Sequence, residues 1–302
     1  MVASTAYLLI SHGSRDPRPQ EAMNRLSELV RRRLEAMPQV PALSKKTSES
    51  SAPALNDRIF LNRHEAQDQK QVASKDRQIG GRTTLLTRPQ VETAPTNSAK
   101  VMVGTACLEL SPIPLSEQIY EFGRRLQDAG VEELKLLPMF LMAGVHVMED
   151  IPKEVAIAQQ LLKGSSLTLT LCSHLGSHAD VAQVLANRLA SVPAGGSLLV
   201  SHGSRRPKGN CAVMALANQL DTTVAYWSTP PDIETQVIDL MQKGFQRLTI
   251  LPYFLFAGGI TDAITHRTEE LAERFPRVKF RLLPTLGATD EVADLVLKLA
   301  HS

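Results

Sequence analysis

The sequence predicts an α/β protein of two duplicated lobes, each a mostly parallel four-stranded sheet flanked by helices. Three observations carry the prediction. Segments of the chain recur in the same order. Short apolar runs alternate with helical patterns. Polar residues with useful chemistry fall just after several of those runs.

The recurrence is direct. Tyr7-Leu-Leu-Ile-Ser-His-Gly-Ser-Arg15 returns as Ser197-Leu-Leu-Val-Ser-His-Gly-Ser-Arg205. Leu137-Pro-Met-Phe-Leu-Met-Ala-Gly144 returns as Leu251-Pro-Tyr-Phe-Leu-Phe-Ala-Gly258, and Leu175-Gly-Ser-His-Ala-Asp-Val181 as Leu286-Gly-Ala-Thr-Asp-Glu-Val292. Three matches in one order indicate a duplicated domain. Its period is far longer than a solenoid repeat, so each copy is expected to hold its own core. The expected boundaries are 1–192 for the first lobe and 193–302 for the second.

Within the first copy, strands are expected at Tyr7–Ile10, Val101–Val103, Leu134–Leu137 and Leu167–Leu171. The second offers Leu198–Val200, Thr223–Ala225, Leu248–Leu251 and Lys279–Leu282. Short runs that are apolar throughout suit parallel strands buried on both faces. Helical patterns separate them at Pro19–Glu35, Leu115–Ala129, Ile151–Leu162 and Asp180–Ala190, with counterparts in the second copy. Alternating strand and helix implies a parallel sheet covered on both sides. One large difference separates the copies. About sixty residues, 39–98, intervene between the first helix and second strand of copy one. They are rich in Ser, Thr, Gln, Lys, Arg and Pro. They are too poor in apolar groups to offset ordering entropy, so a mostly disordered insertion is expected there. His64 lies within it.

Composition excludes several function classes. A net charge of +2 gives no support to phosphate neutralisation on a nucleic acid. No apolar run approaches the length of a bilayer span. The start of the chain lacks the basic and apolar segments of a signal peptide, and three unpatterned cysteines suit a reducing, cytoplasmic setting. No phosphate-loop motif and no H-E-x-x-H occurs.

In open α/β sheets ligands bind beyond the carboxyl ends of the strands. His12, Glu109 and His146 all fall there, after strands one, two and three of the first copy. Two imidazoles and a carboxylate suit Co(II), Fe(II) or Ni(II), and so few protein ligands leave positions open on the ion. Plainer readings stand beside this one: a helix-capping His12, a solvated Glu109, a surface His146. The repeat discriminates between them. His12 matches His202, but His146 matches Ile260, and Tyr226-Trp-Ser-Thr-Pro230 holds no counterpart of Glu109. A residue required by the fold should recur in both copies, so polar groups confined to the first copy point to function. His174 and His178 are read as structural or surface residues. Arg15, just before the first helix, either binds an anionic group with the helix N-terminus or pairs with a local carboxylate.

The motifs Leu-Leu-Ile-Ser-His-Gly-Ser-Arg, Cys-Leu-Glu-Leu-Ser-Pro and Leu-Pro-Met-Phe-Leu-Met-Ala-Gly-Val-His-Val-Met-Glu-Asp-Ile-Pro resemble those of the sirohydrochlorin chelatase family. The resemblance covers nearly all the chain except the insertion. It implies the long, two-lobed form with chelatase-like, flavodoxin-like layers, and a lyase that inserts Co(II) or Fe(II) into sirohydrochlorin for cobalamin or sirohaem synthesis. His12 would be metal ligand and proton acceptor, and His146 the second metal ligand. Glu109 would be catalytic, and with Leu141, Met142, Ala143, Gly144, Val145 and His146 would contact the macrocycle; Arg15 is the further basic contact expected. No cofactor beyond the divalent metal substrate is implied, and the expected partners are that metal and an anionic tetrapyrrole bound by a two-lobed monomer. Two alternatives remain. A metal or tetrapyrrole carrier would use the same histidines without turnover. A histidine phosphatase would share the strand-His-Gly pattern but carry arginine where Ser11 stands.

Overall fold

The computed structural model describes residues 4–37, 101–206 and 208–302. The expected insertion at 39–98, with His64, lies outside the described residues. The first copy runs β1 (Thr5–Ser11), α1 (Pro17–Ala36), β2 (Val103–Cys107), α2 (Leu115–Asp128), β3 (Glu133–Pro138), α3 (Ile151–Leu161), β4 (Thr168–Leu171) and α4 (Asp180–Ala190). The second runs β5 (Gly196–Ser201), α5 (Cys211–Gln219), β6 (Thr223–Tyr226), α6 (Ile233–Gln242), β7 (Arg247–Pro252), α7 (Gly259–Arg274), β8 (Lys279–Leu282) and α8 (Asp290–Ala300). Each copy forms a four-stranded sheet, ordered β2-β1-β3-β4 and β6-β5-β7-β8, and every pairing is parallel. The duplicated α/β architecture is as the sequence predicts.

Local chemistry explains the elements. Asp16 caps α1 by accepting a hydrogen bond from the Arg18 backbone N–H, and prolines at positions 17 and 19 suit a first turn whose amides lack partners. Ala22, Met23, Leu26 and Val30 then form one buried stripe. Thr289 caps α8 in the same way. One strand departs from expectation. β2 lies at Val103–Cys107 rather than Val101–Val103. It is the edge strand, aligned by pairing with β1 from Tyr7↔Val103 to Ser11↔Cys107, and its small residues hide it from an apolar-run criterion.

The alternation of side chains across each strand sorts the core into three layers. Leu8 and Ile10 of β1, with Leu134 and Leu136 of β3, face outward onto Ile119, Leu126, Ile151 and Val155 of α2 and α3. Leu198, Val200, Leu248 and Ile250 do the same against Val237 of α6 and Ile264 of α7. The other faces meet in the middle. Tyr7, Leu9, Leu137, Leu199 and Leu251 join Met23, Leu26 and Val30 of α1, Leu185 of α4, Val213 of α5 and Val292 and Val296 of α8 in one cluster. The expectation of a separate core for each copy is therefore corrected. Each copy owns its outer layer, but the inner layer is common, because α1, α4, α5 and α8 turn their apolar stripes into one cluster shared by the inner faces of both sheets.

Polar clamps reinforce the joint. Arg33 of α1 pairs with Asp290 at 3.0 Å and with Asp294. Lys135 donates to the carbonyl of Ala300 at 2.6 Å, and Arg188 to the carbonyls of Thr285 and Leu286 at 2.6 and 2.7 Å. Among the described residues no helix is long and apolar enough to cross a membrane.

Candidate metal centre and cleft

The carboxyl ends of both sheets open onto one cleft of about 660 Å³, lined by both copies. The first supplies His12, Phe140 to Gly144, and His146 to Met148; the second supplies Ser201 to Ser204, Arg206, Tyr253 to Leu255 and Ile260. Direct contacts hold the walls together. The Tyr253 hydroxyl donates to the Leu141 carbonyl at 3.2 Å, the Ser201 hydroxyl reaches Met142 Sδ at 3.4 Å, and Arg206 stands 3.7 Å from Glu149. Burial pushes the Tyr253 phenol well above its ordinary value, so it stays a neutral donor. The lining contains no aspartate or glutamate; its ionisable groups are three histidines, Tyr253 and Arg206.

At one end of the cleft His12, Glu109 and His146 converge, with one possible ligand atom of each within 4.8 Å of the others. Among the described residues this is the sole such group. His12 Nε2 lies 3.7 Å from one Glu109 carboxylate oxygen, and His146 Nδ1 lies 3.9 Å from the other. The two imidazoles meet edge to face with centroids 4.7 Å apart, and the Phe140 ring stands 6.3 and 6.4 Å from them. Donor atoms about 2.1 Å from a common ion stand at most about 4.2 Å apart. The three side chains therefore need to draw in by only a fraction of an ångström. All three are partly exposed, so the ion would keep open positions toward the cleft.

Each ligand is placed by its own device. The turn after β1 brings Gly13 so close to the next loop that a Cβ there would lie 2.0 Å from the Glu109 carbonyl oxygen, and its φ of +97° is a region open to glycine. The Glu109 amide in turn donates to the His12 carbonyl at 2.9 Å. From α2, the Gln118 amide accepts from Cys107 N at 3.0 Å and donates to Cys107 O and Ile113 O, both at 2.8 Å, bracing both sides of the Glu109 loop. Gly176, after β4, supports the Leu141 segment in a similar way; a Cβ there would meet the Leu141 carbonyl at 2.0 Å.

His146 opens a π-helical turn, His146–Asp150, that runs directly into α3. His146 is the first residue of this wider turn, which is closed by an Ile151 N–H to His146 carbonyl bond. The turn places Asp150 against the ring, 2.8 Å from His146 Nδ1. A carboxylate only accepts, so Nδ1 carries the proton and Nε2 keeps its lone pair for a metal. His12 Nδ1 faces the Gly13 carbonyl at 3.4 Å, which fixes the same tautomer. Asp150 and Gln118 are the positioning residues that sequence reasoning missed. The i,i+4 spacing of His146 and Asp150 is a signal that would have found the first.

The remaining expected residues are distributed as follows. Leu141, Met142, Ala143 and Gly144 line the cleft, whereas Val145 does not. Glu109 faces a separate polar hollow shared with Asp150, Lys153 and Glu154. Arg15 is exposed and lines neither. His174 is half-buried, and that burial pushes its imidazole below the usual value, while His178 Nδ1 accepts from Asp180 N at 3.2 Å; both serve the loop before α4.

The chain is similar in structure to SirB from Bacillus subtilis with Fe3+, at 16% identity and TM-score 0.64, covering 99% of this chain and 94% of that one. A second likeness is the sirohydrochlorin chelatase SirB from Bacillus subtilis subspecies spizizenii in complex with cobalt, at 16% identity and TM-score 0.60, with the same coverage. A third is DR2241 from Deinococcus radiodurans, described as a multi-domain protein with structural similarity to chelatases, at 16% identity and TM-score 0.59; this chain spans 54% of it. At such identities the likeness establishes the fold. No curated protein matches the sequence. The CbiX family model matches twice, over residues 93–192 and 196–302, so that Glu109 and His146 fall inside the first match and His12 before it. One model matched by both copies across most of the sequence means that the chain belongs to the CbiX family.

Proposed function

We propose that the protein is a chelatase that inserts Co(II) or Fe(II) into sirohydrochlorin, giving a product on the way to cobalamin or sirohaem. One observation carries this reading: two imidazoles and a carboxylate gather at the edge of a largely apolar cleft that has room for a flat ring. Membership of the CbiX family supports it, as do the iron and cobalt named with the SirB structures.

The chemical task is to exchange two pyrrole protons for one divalent cation. His12 and His146 present the incoming metal through ring nitrogens, and Glu109 supplies an anionic oxygen that offsets its charge. A nitrogen holding the cation cannot accept a proton at the same moment. His12 therefore serves first as ligand, and it and Glu109 act as proton acceptors as the ion passes to the ring. Asp150 is a positioning residue that holds the His146 ring and tautomer. The cleft suits an acidic macrocycle because its described lining holds Arg206 and three imidazoles, with Glu109 confined to the metal end. Ni(II) suits the same donors as well, and availability in the cell decides among the three.

The test is turnover. Purified protein mixed with sirohydrochlorin and Co(II) or Fe(II) is expected to convert the absorbance spectrum to that of the metallated ring, catalytically. His146→Ala is expected to cut the rate at least about 100-fold, as loss of a metal ligand should exceed loss of an outer-shell partner. Stoichiometric binding without turnover would make the protein a carrier, and undiminished turnover by His146→Ala would remove that residue from the site.

A further inference from the structure

The reaction outlined above leaves one imidazole of the cleft without a part. His202 closes β5 as His12 closes β1, and the backbone frames correspond. Leu108 N and Glu109 N donate to the Ser11 and His12 carbonyls, and Trp227 N and Ser228 N donate to those of Ser201 and His202, all four at 2.9 Å. The frame recurs but the metal set does not. Ser228 stands where Glu109 would, and it spends its hydroxyl on the His202 carbonyl at 2.8 Å. Ile260 stands where His146 would. His202 nevertheless lines the same cleft, contributed by the second lobe where His12 and His146 come from the first. The Arg206–Glu149 pair, at 3.7 Å, ties its loop to the turn that begins at His146.

The state of the ring can be read from its contacts. His202 Nδ1 lies 2.9 Å from the Gly203 carbonyl, which can only accept, so Nδ1 carries the proton. Nε2 then holds a lone pair, and among the described residues His202 belongs to no group of three or more metal-binding side chains. It is a base without a metal to bind.

We infer that His202 is a proton acceptor for the ring, removing a pyrrole proton from the face turned toward the second lobe while the metal enters from the first. The inference rests on the chelatase reading above. Its physical basis is charge. A divalent cation beside His12, His146 and Glu109 opposes the addition of a further positive charge there. A base contributed by the second lobe is spared most of that repulsion. The step balances as follows. One pyrrole N–H bond breaks, its electron pair stays on the ring nitrogen and becomes a donor to the metal, and an N–H bond forms at His202 Nε2. The exposed imidazolium then releases its proton to solvent at the rim. The second pyrrole proton leaves through His12 or Glu109, whichever the ion has freed as it passes to the ring.

The experiment uses the full chain with His202→Ala and His202→Gln, each checked for a native circular dichroism spectrum. Three quantities are read: Co(II) affinity without the ring, KM for sirohydrochlorin, and kcat for insertion. The expected result is a fall in kcat of about 100-fold, the usual contribution of one acid–base group, with Co(II) affinity and KM unchanged. An unchanged kcat would overturn the inference. So would a loss of Co(II) affinity, which would make His202 a metal ligand, or a rise in KM alone, which would make it a ring contact. Lack of turnover by the unsubstituted protein would sink both this inference and the chelatase reading, whereas defects confined to the His202 variants leave that reading standing.

Discussion

The two lobes share a frame and differ at its working end. From Glu133 and Arg247, at the start of β3 and β7, to Gly144 and Gly258 the copies keep an offset of 114 positions; from Ile151 and Ile264, buried at the start of α3 and within α7, the offset is 113. Val155 and Thr268, then Ala158 and Leu271, keep the second value, and all are buried. The first lobe thus holds one extra residue between glycine turn and helix, and it absorbs that residue as the π turn His146–Asp150. The second lobe has none; α7 begins at Gly259 with a capping bond between Gly258 N and Thr261 Oγ1. A single extra residue in a helix is accommodated most cheaply as a π bulge, and such bulges cluster at functional sites. Here it lets α3 keep its apolar stripe on the core while His146 and Asp150 are held together beside the cleft. The difference teaches that the polar residues at the strand ends can change without altering the layers beneath.

Removing that extra residue is the strongest way to break the comparison. Deletion of Val147 should convert the first lobe to the pattern of the second. The expected outcome is complete loss of Co(II) binding and insertion with a melting temperature near that of the parent, followed by isothermal titration and thermal denaturation. Retained metal binding would detach the site from the π turn.

A second prediction concerns the shared inner layer. Leu9→Ala, on β1, should cost about 2–5 kcal/mol, the range for truncating a fully buried leucine. The only tryptophan, Trp227, belongs to the second lobe. Its fluorescence should therefore report an earlier unfolding midpoint although the substitution lies in the first. An unshifted Trp227 transition would mean that the lobes unfold independently.

The smallest effect sharpens the comparison most. Gly13 and Gly203 both have positive φ, at +97° and +83°, and at both a Cβ would crowd the following loop: 2.0 Å from the Glu109 carbonyl, 2.6 Å from Thr229 Oγ1. Alanine at either site should cost about 1–3 kcal/mol of stability through backbone strain. Only Gly13→Ala should also weaken Co(II) binding, because only there does the displaced loop carry a ligand. Equal loss of metal affinity in the two variants would contradict the assignment of the centre to the first lobe.

Much of this was legible along the chain. The duplication could be read from repeated words such as Leu-Leu-Ile-Ser-His-Gly-Ser-Arg, and the alternation of strands and helices from apolar runs. β4 and β8, with α4, began or ended within a residue of expectation. β2 was misplaced because Gly104, Thr105 and Cys107 give little apolar signal, and pairing with β1, not composition, fixes its extent. Of the site, His12, Glu109 and His146 were legible because the second copy lacks two of them. Asp150 left only its i,i+4 spacing from His146 as a signal, and Gln118 and Arg206 left none, since their partners lie on other elements.

What the sequence by itself determined is the order and class of elements and the short list of polar residues at strand ends, because backbone pairing and apolar periodicity are encoded over a few neighbouring residues. What only the tertiary structure decided is that positions 12, 109 and 146 come within 4.8 Å of one another, and that His202 shares their cleft. Those distances follow from how two sheets bury their inner faces around the same four helices. That packing depends on shape across the whole molecule, and no local stretch of sequence records it.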